Sequence, residues 1–256
     1  MEITDEQLLR LVTGYVWPFV RVSAFFIALP IISSGIVPTY IKAGLAILVS
    51  FLVAPVIPVQ PVIDPFSLLG LIVTVQQVII GLALGFMIKL VFSALETGGY
   101  LIGQSMGLGF AQMNDPANGI TVPVVSQFYT VLATLTFLIM NGHLIMLEVL
   151  VNSFTVMPIN ITGLGADGIW QLIKWSSWIF TGAVIIALPA VGALLLVNIA
   201  FGVMMRAAPQ LNIFTIGFPI SLMLGLAFIM LTLPVFSNQF MYILDNTIIA
   251  ATNLLK

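Results

Sequence analysis

Between Val122 and Leu147 the chain carries no Asp, Glu, Lys or Arg. That run is longer than the roughly 20 apolar residues one helical bilayer crossing needs. It shows none of the two-residue alternation that marks a barrel strand. In lipid every backbone N–H and C=O must be paired within the protein, which leaves helices as the structure for such a run. The same character extends over the chain: 61% of its 256 residues are apolar and 6% are charged, against about 25% charged in an ordinary soluble domain. So few charges cannot cover a water-facing surface. The predicted fold is all-α, a polytopic integral membrane protein of about six hydrophobic helices or helical hairpins in a single domain. Spans are expected near 11–32, 43–59, 66–92, 122–150, 175–205 and 211–236, with a seventh, shorter apolar stretch at 240–255. The second is the weakest, because Pro55 and Pro58 shorten its helical part to about 22 Å at 1.5 Å per residue.

The start of the chain sets Glu2, Asp5 and Glu6 against Arg10, the wrong sign for the basic region of a signal peptide. The chain has no cysteine, which excludes disulfides and thiolate metal sites. The formal net charge is −2, and no basic stripe is present to follow a phosphate backbone, so no nucleic acid partner is expected. Orientation normally follows an excess of Lys and Arg on cytoplasmic loops. Under strict alternation of six spans, one side receives Arg10, Lys174 and Lys256 and the other Lys42, Lys89 and Arg206. That tie means either that orientation is set elsewhere or that the helices are surrounded by partner proteins, which need no charge asymmetry of their own.

The stretch from Gly98 to Pro123 is the most informative. It contains Gly98, Gly99, Gly103, Gly107, Gly109 and Gly119, and each glycine costs a helix about 1 kcal/mol relative to alanine. Gly99, Gly103 and Gly107 recur every fourth residue, a spacing that lets another helix approach closely. Asn114-Asp115-Pro116 and Asn118-Gly119 are turn signals. A packed helix end leading into a long apolar loop is expected. Met106, Leu108, Phe110 and Met113 argue against a solvated loop, and flexible Met side chains repack at low cost. Met106, Gly107, Leu108, Gly109, Phe110, Met113, Asp115 and Pro116 are therefore candidates for a pore plug or seal. The plainer reading is a re-entrant segment that only packs between helices.

A charge at a bilayer centre costs roughly 2.5–3.5 kcal/mol on insertion scales, so an embedded one needs a partner or water. Arg21, Lys89, Glu96 and Arg206 are read as structural ion pairs or assembly contacts, with Arg21 the strongest case. Lys42 and Lys174, near span ends, are expected to snorkel. His143, the one histidine, lacks the acidic chain of a proton relay and the neighbours of a metal site, and is read as a hydrogen-bonded packing residue. Gly163-Leu164-Gly165-Ala166-Asp167-Gly168 matches a dinucleotide fingerprint only in letters, since that motif requires a preceding strand. No nucleophile, metal or cofactor constellation is legible, so neither enzyme activity nor a cofactor is expected. An ion-coupled secondary transporter, with broken helices at Gly98-Gly99 and Arg206-Pro209, is the rival class.

Several motifs together carry a family resemblance: Pro30-Ile31-Ile32-Ser33, Val37-Pro38, Lys42-Ala43-Gly44-Leu45, Glu96 to Gly99, Gly103-Gln104-Ser105-Met106-Gly107, Asp115-Pro116, Gln127, Asn141-Gly142-His143 and Arg206-Ala207-Ala208-Pro209-Gln210-Leu211-Asn212. Along nearly its whole length the chain resembles the FliR family of type III export gate subunits. The resemblance implies a subunit assembled with FliP and FliQ in a closed helical cone in the bacterial inner membrane, at the flagellar basal body. It also implies FlhB and other export apparatus proteins as neighbours, and unfolded export substrates as cargo. It divides the chain into a FliP-like part, about 1–169, with a central plug loop at 98–123, and a FliQ-like hairpin, about 170–256. Injectisomes contain a homologous subunit, the alternative within the family.

Overall fold

The computed structural model describes residues 5–33, 37–58, 61–109, 123–207 and 213–255, and among them it contains helices and no strand. The helices are α1 (Asp5–Ala28), α2 (Pro30–Ser33), α3 (Thr39–Val53), α4 (Leu68–Ser105), α5 (Val124–Ile139), α6 (Gly142–Val156), α7 (Ala166–Trp175), α8 (Trp178–Ala207) and α9 (Ile213–Leu254). The all-α reading stands. The six expected spans are redrawn in three places.

The run at 122–150 is not one continuous helix, because α5 and α6 meet at a 71° bend. The break falls at Asn141, whose φ of 56° is left-handed, a conformation Asn tolerates better than most residues. A side chain on Gly142 would collide with the ring of Phe137, so the Asn-Gly pair is the bend. The expected stretches 211–236 and 240–255 are one helix, the 42-residue α9, which keeps Pro219 and Pro234 in its interior. Such prolines are tolerated where neighbouring side chains recover the freed carbonyls. In α8 that repair is visible: Pro189 cannot donate to Ile185, and Gln239 Nε2 lies 3.4 Å from the Ile185 carbonyl instead. Finally, α4 runs through Gly98, Gly99 and Gly103 to Ser105, beyond the expected end at 92.

At 1.5 Å per residue the 38 residues of α4 reach about 57 Å, nearly twice the roughly 30 Å hydrocarbon core. Among the described residues, three stretches are long and apolar enough to cross a membrane: Leu68–Ser105, Ala166–Ala207 and Gly217–Leu254. Val12–Ala28 and Thr39–Val53 are shorter apolar helices.

The chain forms two compact units, one of residues 1–90, 137–177 and 245–256, the other of residues 91–136 and 178–244. In the first unit, Trp17, Val53, Val73, Phe154 and Ile159 make a buried cluster flanked by Val16, Val49, Ile57, Ile63 and Val151. Helix α4 approaches α1 at Gly81 and Gly85. A Cβ on Gly81 would lie 2.8 Å from that of Ala24, and one on Gly85 2.7 Å from that of Ala28. In the second unit α8 and α9 run antiparallel: Trp178 faces Tyr242 at 6.5 Å, and Ile185 faces Gln239. Phe236 and Phe240 stack at 6.3 Å, with Phe92 edge-on to Phe240 and Tyr129 beside Phe236.

Candidate functional site

Helix α4 ends in a specific hydrogen-bond pattern. Leu108 N donates to Gly103 O at 3.1 Å and Gly107 N donates to Gln104 O at 3.0 Å. Gly107 adopts φ 85°. This is a Schellman terminator, in which the residue just past the helix turns left-handed and the outer amides satisfy the last carbonyls. Glycine occupies that turn because a Cβ there is strained. One also would sit 3.3 Å from the ring of Phe218. The terminator aims the chain into the glycine- and methionine-rich segment.

Met106 precedes the turn, is 1% exposed, and lies over Gly225 of α9. A Cβ on Gly225 would fall 2.7 Å from Met106 Cε and 2.8 Å from Sδ. The missing side chain on one helix is thus the seat for a flexible thioether from another. Leu108 and Gly109 are half-buried beside it. Phe110, Met113, Asp115 and Pro116, the remaining candidates for a seal, lie outside the described residues.

The three glycines of the four-residue repeat play different parts. A Cβ on Gly99 would come within 2.8 Å of Ser126 Cα and 3.0 Å of Val125 O, so α4 meets the α5 backbone there. On the adjacent side, a Cβ on Gly98 would lie 3.2 Å from the Ala183 carbonyl of α8. At Gly103 a Cβ would make ordinary contact at 3.6 Å with Val125. Gly107 belongs to the terminator and not to the helical stripe. The period of four therefore groups residues with separate physical duties.

Arg21 is 0% exposed, as a buried charge with partners should be. The partners are neutral oxygens and not the carboxylate expected of an ion pair. Nε donates to Gln77 Oε1 at 2.7 Å, Nη1 to Ser153 O at 2.9 Å and Ser153 Oγ at 3.1 Å, and Nη2 to Met157 O at 2.9 Å. The guanidinium also lies 4.2 Å from the centre of the Phe154 ring. Ser153 is in the last turn of α6, and Met157 is its C-cap. Helix C-termini carry partial negative charge and unsatisfied carbonyls. The counter-charge of Arg21 is thus the end of a helix, which explains how a buried arginine is held here without an acid. Gln77 was not singled out from sequence, and neither were Gly81 and Gly85, although their four-residue spacing is a legible signal of close packing.

Lys89, Glu96 and Arg206 are exposed on their helices, and Arg206 lies in the last turn of α8. His143 is half-buried, and its Nδ1 has no hydrogen-bond partner among the described residues, which corrects its reading as a hydrogen-bonded residue. The GxGxxG match resolves into a loop that ends at Gly165, the N-cap of α7.

The family model for "Bacterial export proteins, family 1" matches residues 12–247. The chain is 40% identical to the flagellar biosynthetic protein FliR of Escherichia coli over 91% of its own length and 89% of that protein. It is 31% identical to the FliR of Aquifex aeolicus, covering 93% and 92%. With the FliR of Bacillus subtilis it shares 27% identity over 88% and 86%. These relatives are named for flagellar assembly, and the described residues form apolar helices of membrane-crossing length. The chain belongs to the bacterial export protein family 1, among the flagellar FliR proteins, and is a membrane protein of flagellar protein export.

Proposed function

We propose that the chain is a core subunit of the flagellar type III export gate. In this reading it joins FliP and FliQ in the inner membrane at the basal body, with FlhB alongside, to form the channel for unfolded flagellar proteins. Segment 98–123 helps close that channel, and the chain catalyses no reaction. The observation that carries the closing role is the end of α4, where a glycine terminator launches the segment and Met106 rests in the seat left by Gly225. The contact of Met106 with Gly225 is apolar, so a passing polypeptide can displace it without breaking a buried polar network.

Other features support assembly with neighbours. Val184, Leu188, Leu195, Ile199 and Val203 are exposed along α8, which requires lipid or further protein against them. The exposed charges Lys89, Glu96 and Arg206 are assigned to contacts with other subunits. The antiparallel pair α8 and α9 is the hairpin we assign as FliQ-like, within about 170–256, leaving about 1–169 as the FliP-like part. The flagellar relatives favour this gate over an injectisome.

Two measurements test the reading. A tagged chain extracted in detergent should bring down distinct small helical proteins; a lone monomer that carries a small solute would replace the gate with a transporter. Deleting residues 108–119 should raise ion leakage while the complex still assembles. Unchanged leakage in an intact complex removes the closing role.

A further inference from the structure

Helix α6 carries one acid to which nothing so far gives a role. Glu148 is the only Asp, Glu, Lys or Arg in α6, and it stands on the exposed side of that helix. Its surroundings are not those of a water-facing carboxylate. Leu144, one turn earlier on the same face, is 55% exposed, and Val56, in the turn after α3, is 71% exposed. Among the described residues no hydrogen bond or ion pair reaches Glu148. A charge in so apolar a setting needs a cation or water beside it.

Glu148 borders a groove of about 550 Å³ within the first unit, between the turn after α3 and the face of α6. Val56, Ile57, Leu147 and Val151 form its apolar walls, and Glu148, Asn152 and Thr155 supply polar groups along it. Spacings of four and three residues put these three on one helical face, over about 10 Å of helix axis. The Thr155 hydroxyl donates to Asn152 Oδ1 at 2.8 Å and to Asn152 O at 2.7 Å, which holds the Asn152 amide in place. The groove therefore combines a negative charge, a fixed amide and apolar walls. That is the complement of a lysine or arginine, whose methylene stem packs on apolar surface while its charged head meets an acid.

Resting on the gate reading, which supplies helical neighbours, we propose that this groove receives a basic side chain from a helix of another gate subunit. Its cation pairs with Glu148 and its stem lies between Val56 and Val151. A lipid amine would engage Glu148 alone, whereas a segment lying along α6 meets the polar groups of both turns.

The test uses the full chain, tagged and expressed with its neighbouring gate subunits. Like charges facing each other across an interface are strongly penalised, so Glu148→Arg should lower the subunits recovered per tagged chain at least about tenfold. Glu148→Gln, which only removes the attraction, should lower recovery by less. Val56→Trp fills the groove, should also lose the subunits, and serves as the second variant should Glu148→Arg fail to fold by circular dichroism. The chain has no cysteine, so Asn152→Cys carrying a photoreactive thiol label reports what lies in the groove, and it should join to a gate subunit. Changing one basic residue of the joined subunit to Glu should restore recovery with Glu148→Arg. Undiminished recovery with Glu148→Arg and Val56→Trp overturns the groove and leaves the gate reading standing; an unaltered chain that comes down alone sinks both. A label that joins only to lipid makes a headgroup amine the occupant and overturns the proposal, as does failure of every basic residue of the joined subunit to restore recovery.

Discussion

The two compact units are held together by different kinds of contact. In the unit of residues 1–90, 137–177 and 245–256, the buried polar residues are Thr13, Arg21, Ser50, Gln77, Ser153 and Thr247; in the other, among the described residues, they are Ser126 and Ser221. The first unit is keyed by a guanidinium whose bonds reach two other helices. The second relies on glycine against backbone at Gly98 and Gly99, methionine on glycine at Met106 and Gly225, and stacked rings at Phe236 and Phe240. Directional hydrogen bonds to a buried charge permit one arrangement, and leaving any of them unmade is costly. Apolar contacts with a methionine permit several arrangements of similar energy. The segment proposed to open lies in the unit of the second kind.

This contrast can be broken by substitution. The largest effect is expected at Arg21→Met, which removes the charge and strands Gln77 and the end of α6. Each buried acceptor left without its donor costs about 1–3 kcal/mol, and with several stranded at once the purified yield should fall to near nothing. A thermal midpoint close to that of the unaltered protein would show that the cage does not key the unit. Arg21→Lys should recover little, because one ammonium cannot reach acceptors that a forked guanidinium spans.

A smaller loss is expected at Gly99→Val, where overpacking against the α5 backbone costs roughly 1–3 kcal/mol. The matching control is Gly103→Ala, whose new methyl meets Val125 at an ordinary distance and should leave the thermal midpoint unchanged. If the two variants melt alike, close approach at Gly99 is not what joins these helices. Gly107→Ala should cost about 1 kcal/mol by straining the terminator, and should raise proteolytic cleavage after Ser105 more than it lowers the melting point. A lowered midpoint without new cleavage would place the effect in the helix packing instead. Least of all, Met106→Leu should cost under about 1.5 kcal/mol, as volume-conserving swaps usually do. A larger loss would show that the seat on Gly225 is rigid, which would narrow the difference between the units.

Much of this molecule could be read from the chain, unevenly and for identifiable reasons. The helical membrane character was legible because it depends on composition and on runs such as 122–147, which are local properties. The bend between α5 and α6 was legible in principle from Asn141-Gly142, but apolar continuity on both sides masked it. Arg21 could be recognised as buried, because a lone charge within an apolar run has few other fates. Its partner class could not, since carbonyls at a helix end carry no signature in the side-chain alphabet. Gln77 lies 56 positions from Arg21, and Ser153 and Met157 lie 132 and 136 away. The seat of Met106 was hidden in the same way, because Gly225 is one glycine among 21.

By itself the sequence determined that this protein is a set of apolar helices whose backbone groups pair internally, because lipid offers them no other partner. It also placed a glycine- and methionine-rich segment where a helix ends. Only the tertiary structure decided which helices continue through their prolines, which glycine receives Met106, and that a helix C-terminus balances Arg21. Those outcomes depend on atoms far apart in the chain coming within a few ångströms, and no local pattern of residues encodes that proximity.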